Sequence, residues 1–138
     1  MKMCVEFKWK NTVTIELGPD GKLKFPNFPL DPGLYRLWLG GAGQSSVYIG
    51  ETDNLRRRAS HYRNPGPSQR TNFRLNDRLR AHLAAGGKVE MAILTAADVE
   101  IEGRKLDLDL AQKAARRLIE NAALVEAAAS GANQVENL

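Results

Sequence analysis

Cysteine and histidine are nearly missing from this chain of 138 residues. It has one cysteine, Cys4, and two histidines, so it can form neither an internal disulfide framework nor a structural zinc cluster. No apolar run reaches the roughly 20 residues that cross a bilayer, and the first residues lack the apolar stretch of a secretory signal. These absences exclude disulfide-rich, zinc-finger and membrane-spanning proteins, and we expect a cytoplasmic protein without a membrane partner.

Positive charge is concentrated in one segment. The chain has a net charge of +4. Eight arginines and a single acid, Asp77, lie between positions 54 and 82, so the rest of the chain is acidic on balance. Such a block is typical of a protein that binds a phosphate backbone. A solvated helix face is the alternative, and for a run of charge alone it is the more common explanation.

The predicted elements follow the order β-hairpin, helix, helix, strand, helix, preceded by an N-terminal β-hairpin extension. Alternating residues predict the strands, and a turn at Gly18-Pro19-Asp20-Gly21 joins two of them. The predicted strands cover residues 5–9, 13–17, 22–25, 34–39, 45–49 and 88–94, and the predicted helices about 54–62, 69–85 and 106–129. This order indicates an α/β (α+β) fold with a small antiparallel or mixed central sheet flanked by helices.

The length of the chain favours one compact domain. Within it, residues 1–30 form the predicted extension and residues 31–138 the main part. Leu75, Leu79 and Leu83 predict the buried stripe of the second helix. Gly131 is expected to end the third helix at the C′ position. The predicted apolar face of that third helix includes Ala111, Ala115, Leu118, Ala122 and Val125.

Two tyrosines lie at the two ends of the predicted hairpin. Tyr35 ends the tripeptide Gly33-Leu34-Tyr35, and Tyr48 begins Tyr48-Ile49-Gly50. Pairing of these strands would bring both hydroxyls to one edge of the sheet, where Arg58 on the next helix can face them. Ordinary strand aromatics are the alternative. Gly50, without a Cβ, allows close approach of the backbone to a substrate.

The tyrosine pair and the run of residues 48–58 resemble the GIY-YIG nuclease family, and the resemblance extends over residues 33–133. It implies a metal-dependent endonuclease that hydrolyses phosphodiester bonds in DNA with one Mg²⁺ or Mn²⁺ ion. By position matching, the resemblance implies that Arg58 contacts the scissile phosphate. It also implies that one of the two strand tyrosines is the general base and that the other positions the water, and the sequence leaves open which is which.

The resemblance also assigns residues beyond the hairpin. Tyr62 matches a family position held by histidine or tyrosine, and His61 is the alternative if the helix register is shifted. Glu120 matches the lone carboxylate that binds the metal ion. Asn133 is the closest match to the family's site asparagine, with Asn137 as the alternative.

The chain departs from the family at two points. The proline that often precedes the site asparagine is missing. Glu51 adds a carboxylate where relatives often have lysine or a small polar residue, and this carboxylate would either repel the DNA phosphate or serve as a further metal ligand.

DNA is the expected partner, and the sequence leaves open whether it is duplex, branched or single-stranded. A homodimer is possible at this size. One alternative function is a nucleic-acid-binding module of the same fold that does not cut, and another is a basic domain that docks an acidic protein. The arginines expected to bind nucleic acid are Arg57, Arg63, Arg70, Arg74 and Arg78.

Overall fold

The computed structural model describes residues 1–132 and 134–138, which form a mixed α+β fold with two sheets and three helices. The strands are β1 Met3–Phe7, β2 Lys10–Leu17, β3 Leu23–Lys24, β4 Gly33–Ala42, β5 Gln44–Thr52, β6 Lys88–Leu94, β7 Ala97–Ile101, β8 Arg104–Leu106 and β9 Gln134–Asn137. The helices are α1 Leu55–Arg63, α2 Arg70–Ala84 and α3 Lys113–Ala129.

Six strands form the central sheet, in the order β3-β2-β6-β4-β5-β9. All neighbours are antiparallel except β5 and β9, which run parallel. The remaining strands form a small antiparallel sheet in the order β1-β7-β8. The hairpin of β4 and β5 therefore lies inside the central sheet, between β6 and β9.

The two faces of the central sheet have separate apolar cores. Tyr35, Leu37 and Tyr48 point to the face that α1 and α2 cover. Leu34 and Ile49 point to the opposite face, which α3 and the small sheet cover. This follows from the alternation of side chains along a strand. Because α1 and α3 cover opposite faces of the sheet, their residues can approach each other only where the sheet ends, such as the end of β5.

The N-terminal strands differ in part from the prediction. The expected hairpin of residues 13–17 with 22–25 is confirmed as β2 and β3. The first strand does not join it, because the other edge of β2 is already paired with β6. β1 pairs instead with β7, where Val5 lies opposite Val99. The domain boundary at residue 30 stays a prediction, although β2 and β3 are hydrogen-bonded into the same sheet as β4 and β5.

The segment before α3 also corrects the prediction. Residues 97–106 form the β7–β8 hairpin, so α3 begins at Lys113 and not near 106. Its predicted face is wrong in part: Ala115 is buried, but Val125 is 71% exposed and Ala111 lies before the helix. Alanine occurs on every side of α3, so the spacing of its apolar residues does not indicate a single buried face. The buried positions are Ala115, Arg116, Ile119, Glu120, Ala123 and Ala127.

The other boundaries agree with the sequence. Helices α1 and α2 and strand β6 lie within one or two residues of their predicted bounds. Leu75 and Leu79 are buried in α2. Gly131 follows α3 with a φ of 88°, as a C′ glycine does. Among the described residues, no helix is both long enough and apolar enough to cross a membrane.

Candidate active site

Helix α1 is anchored at its N-terminus by the irregular segment that precedes β4. The backbone N–H groups of Leu55 and Arg56 donate to the carbonyls of Asp31 and Pro29, at 3.0 and 3.1 Å. The Asn54 side chain accepts from the N–H of Arg57 at 3.0 Å, as an N-cap does. These bonds satisfy the free donors of the first turn and fix the direction of the helix, and with it Arg58.

Arg58 and two tyrosines form the first part of the site. The hydroxyls of Tyr35 and Tyr62 are hydrogen-bonded to each other, and the two rings meet edge to face. Burial raises the pKa of Tyr62, while hydrogen bonds from Tyr35 and Arg58 lower it. Burial, followed by the neighbouring Tyr62, raises the pKa of Tyr35 well above its ordinary value. All three residues therefore share one hydrogen-bonded cluster between β4 and α1.

Gly50 makes room for this cluster. It lies directly opposite Tyr35 in the β4–β5 pair. A Cβ on Gly50 would overlap the hydroxyl and ring carbons of Tyr35. The sequence predicted that this glycine lets a substrate approach the backbone. In the structure its missing side chain lets the Tyr35 ring cross the neighbouring strand.

Glu120 reaches the end of β5 from α3, on the other face of the sheet. Its side chain is buried, with 6% of the residue exposed. Burial first, and then the nearby Glu51 carboxylate, raise the pKa of Glu120. Hydrogen bonds from the backbone of Glu51 and from the side chain of Asn137 act in the opposite direction. Glu120 also acts electrostatically on Tyr35, which places it beside the tyrosine cluster.

The extra carboxylate of Glu51 is neutralised by Arg116. The Arg116 Nε lies 2.5 Å from the Glu51 Oε2, and both side chains are largely buried. The same guanidinium donates to the carbonyls of Leu110 and Ala111 at 3.0 Å. Glu51 is thus held in an ion pair, which lessens the repulsion that the sequence suggested between this residue and a phosphate.

Tyr48 lies beside an open cleft between α2 and β9. The cavity has a volume of about 360 Å³, and Tyr48, Arg74, Arg78 and Asn137 are among its lining residues. Burial raises the pKa of Tyr48, and a hydrogen bond to Glu136 raises it further, whereas the charge of Arg78 lowers it. Tyr48 and Tyr35 therefore share a sheet face but have different partners.

The arginine block divides into paired and unpaired members. Arg57 forms an ion pair with Asp53, and Arg63 lies 3.5 Å from Asp20. Arg56 donates from Nε to the Phe28 carbonyl at 2.7 Å. Within residues 1–132 and 134–138, four exposed arginines of α2 are in no ion pair closer than 4 Å. They are Arg70, Arg74, Arg78 and Arg80.

At two positions the sequence left a choice between two residues, Tyr62 or His61 and Asn133 or Asn137. Tyr62 faces Tyr35, and His61, about 100° away around the helix, is only partly buried. Of the two asparagines, Asn137 lies next to Glu120, whereas Asn133 lies outside the described residues. The proposed roles of all these residues stay predictions.

A metal ion at this site would have few protein ligands. No group of three or more His, Cys, Asp or Glu side chains among the described residues could hold one. Among the described residues of the site, the buried Glu120 carboxylate and the Asn137 amide oxygen are the candidate donors. This set fits Mg²⁺, which is commonly held by one or two carboxylates together with waters and substrate phosphates.

Three residues of the site were not singled out in the sequence. Asn76 of α2 is buried and donates to the Tyr62 carbonyl at 2.7 Å, which ties the end of α1 to α2. Arg116 pairs with Glu51, and Glu136 bonds Tyr48. An asparagine inside a leucine stripe and an arginine inside an alanine-rich helix are the signals that could have found the first two.

No family model matches the chain, and no curated protein matches it significantly. Among solved structures it is similar to EndoII of bacteriophage T4, determined as a glutamate-to-alanine mutant. The identity is 26%, the TM-score is 0.46, and the match covers 63% of this chain and 64% of that chain. The match therefore spans less than two thirds of EndoII, and the function is inferred below from the side chains of the site.

Proposed function

We propose that this protein is a metal-dependent endonuclease of the GIY-YIG type that hydrolyses phosphodiester bonds in DNA. The observation that carries the proposal is the convergence of distant residues at the end of β5. Tyr35, Arg58, Tyr62, Glu120 and Asn137 come from four different elements, β4, α1, α3 and β9, and act on one another through hydrogen bonds and charge. A buried carboxylate beside a guanidinium and phenols suits phosphoryl chemistry.

Each residue has a role in the proposed reaction. Arg58 binds the scissile phosphate through two parallel donors and stabilises the charge that develops in the transition state. Tyr35 and Tyr62 hold the guanidinium in place. Tyr48, beside the open cleft, is the tyrosine that solvent reaches most readily, and we assign it the positioning of the attacking water.

Glu120, with Asn137, would hold the metal ion, whose charge would stabilise the leaving oxygen and favour ionisation of neighbouring groups. Glu51 contributes its backbone N–H to Glu120, while its carboxylate stays with Arg116. The pKa of each of the three phenols is raised, so before substrate binds they act as hydrogen-bond donors and not as bases.

The test is nicking of supercoiled plasmid DNA in the presence of Mg²⁺ or Mn²⁺. Arg58→Ala and Glu120→Ala should each lower the rate by about 100-fold or more, while the melting temperature stays within a few degrees of the parent. Arg104→Ala is the matched control, because Arg104 is an exposed arginine of β8, an element that carries none of the site residues. Parent-like cleavage by Arg58→Ala or Glu120→Ala would overturn the proposal.

A non-catalytic nucleic-acid-binding module is the second candidate. One observation favours it: Tyr35 is 0% exposed and Tyr62 1% exposed. Their hydroxyl groups are therefore hydrogen-bonded to each other and do not face a substrate. Retention of DNA on a filter without any nicked product, with either metal ion, would select this function. Salt-sensitive binding to an acidic protein but not to DNA would select a protein-interaction domain instead.

A further inference from the structure

We infer that the cleft beside Tyr48 is a subsite for the backbone phosphate next to the scissile one, held by Arg74 and Arg78. The inference rests on the proposed function and deepens it, because it selects two arginines from the block of eight and gives the bound strand a direction. The bound strand of nucleic acid would run from Arg58 past Asn137 and across α2.

Helix geometry brings the two arginines together. Residues four positions apart lie on one helix face, and the rise of 1.5 Å per residue separates them by about 6 Å along the axis. Arg74 and Arg78 both line the cleft, and Thr71 adds a hydroxyl one turn earlier. Both guanidiniums are exposed and, within the described residues, unpaired, so their full charge is available to an anion.

The cleft joins the catalytic centre through one residue. Asn137 lines the cavity, and its side chain is near enough to Glu120 to lower the pKa of that carboxyl group. Tyr48, from strand β5 of the central sheet, lines the same cavity. A phosphate between Arg74 and Arg78 is therefore a neighbour of a phosphate at Arg58 and Glu120, on the same strand of nucleic acid.

Glu136 is the one acidic residue among those that line this cleft. Its Oε1 accepts from Gln134 Nε2 at 2.7 Å, and it also bonds Tyr48. Hydrogen bonds therefore partly satisfy its carboxylate. Two arginines against one acid leave the cleft positive. Replacement of Glu136 by glutamine would remove the opposing charge and should strengthen phosphate binding.

The other arginines of the block are less suited to this role. Arg57 and Arg63 already have acidic partners. Arg80 lines a separate cavity together with Arg63 and Asp20. An anion at any of these positions would compete with an existing ion pair or lie on another side of α2.

The experiment measures binding in EDTA, so that no cleavage occurs, by NMR titration with dithymidylate and trithymidylate at millimolar concentrations. Dithymidylate has one phosphodiester and trithymidylate two. In the parent, the second phosphate should lower the dissociation constant about 10-fold, the effect of a charge-assisted hydrogen bond, and should shift the backbone signals of Tyr48 and Asn137.

Arg74→Gln and Arg78→Gln should each lose most of this gain, and Glu136→Gln should increase it. Arg104→Gln, at an exposed position of β8 in the small sheet, is the matched control and should bind both probes like the parent. With a longer oligonucleotide, Arg74→Gln and Arg78→Gln should each also lower the slope of log K against log salt by about 1. In the nicking assay Arg74→Gln and Arg78→Gln should raise KM and leave kcat unchanged.

The outcomes separate this inference from the proposed function. Binding of both probes by Arg74→Gln and Arg78→Gln as tightly as by the parent would overturn the subsite, even in a protein that nicks DNA. Unchanged Tyr48 and Asn137 signals would overturn it as well. A gain from the second phosphate that depends on Arg74 and Arg78, in a protein that cuts no DNA, would support the subsite and refute the nuclease.

Discussion

At the scale of single residues, Gly50 is required by its neighbours, because a side chain at this position would overlap the Tyr35 ring. The glycine needs no positive φ here; its missing Cβ leaves room for the Tyr35 ring. The same tyrosine donates to or accepts from Tyr62, and Tyr62 is held by Arg58. A change at Gly50 would therefore reach Arg58 through two tyrosines.

Gly50→Ala should lower the free energy of unfolding by about 2 kcal/mol, the usual cost of overpacking, and should also reduce nicking. Chemical denaturation measures the first effect and the plasmid assay the second. In a Tyr35→Phe background the alanine should cost less, because the nearest atom, the hydroxyl, is gone.

The matched control is Gly66→Ala. A Cβ there lies 3.4 Å from the nearest atom, Gln69 Cδ, so we expect almost no loss of stability. If Gly50→Ala is as stable and as active as this control, the Tyr35 ring does not depend on the glycine.

At the scale of elements, the site depends on how α3 is tied to β5. Helix α3 has buried polar residues inside an alanine face, Arg116 and Glu120, four positions apart. Arg116 is bonded to Glu51, and Glu120 to the backbone of the same residue. One strand residue therefore fixes the helix at two points, and this sets the depth at which Glu120 enters the site.

Arg116→Met should destabilise the protein by about 3 kcal/mol, because it leaves the partly buried Glu51 carboxylate without its partner. Thermal and chemical unfolding measure the loss. Adding Glu51→Gln should recover much of it, since the unpaired charge is then removed. Lys113→Met, at an exposed position of the same helix, is the control.

Equal stability of Arg116→Met and Lys113→Met would show that the ion pair contributes nothing. A double variant no more stable than Arg116→Met would show that Arg116 acts through its packing and its bonds to the two carbonyls instead.

At the scale of the whole molecule, two sheets are joined by the short connection between β1 and β2. Lys8, in this connection, lies 3.0 Å from Asp98 on β7. Lys105 on β8 lies 3.4 Å from the same carboxylate. One acid thus links the connection to both strands of the β7–β8 hairpin, at the protein surface.

Asp98 makes the stability of the small sheet depend on pH. The hydrogen bond and charge of Lys8, with the charge of Lys105, lower the pKa of Asp98. The contribution of Asp98 to stability is therefore present above its ordinary pKa of 3.8 and lost as the pH falls through the lower folded value. The effect should be small and should shrink with added salt, because the groups are exposed.

Circular dichroism melting of the parent and of Asp98→Asn, from about pH 6 down to about pH 3, tests this. The asparagine variant should lose less stability than the parent over the acidic part of the range. Parallel curves for the two proteins would exclude Asp98 as a contributor.

Much of the fold and part of the site could be predicted from local patterns. The Leu75 and Leu79 stripe, the Asn54 cap and the alternation around Tyr35 and Tyr48 each depend on residues a few positions apart, so the chain itself indicates these elements. The β7–β8 hairpin, β9 and the face of α3 could not be found in this way. The strands are short and the helix is uniformly rich in alanine. Contacts with residues that are distant in the sequence therefore decide where these strands form and which face of α3 is buried.

The central hairpin, the helix that carries Arg58 and the concentration of arginine can be read from the chain alone, because they depend on local sterics, periodicity and composition. The folded arrangement was needed to find that Arg116 neutralises Glu51, that Asn137 lies near Glu120, and that Arg74 and Arg78 have no ion-pair partner beside Tyr48. Pairing of charges and hydrogen bonds depends on distances through space, which the order of residues along the chain does not give. Those distances are set when β9, α2 and α3 meet at the end of β5.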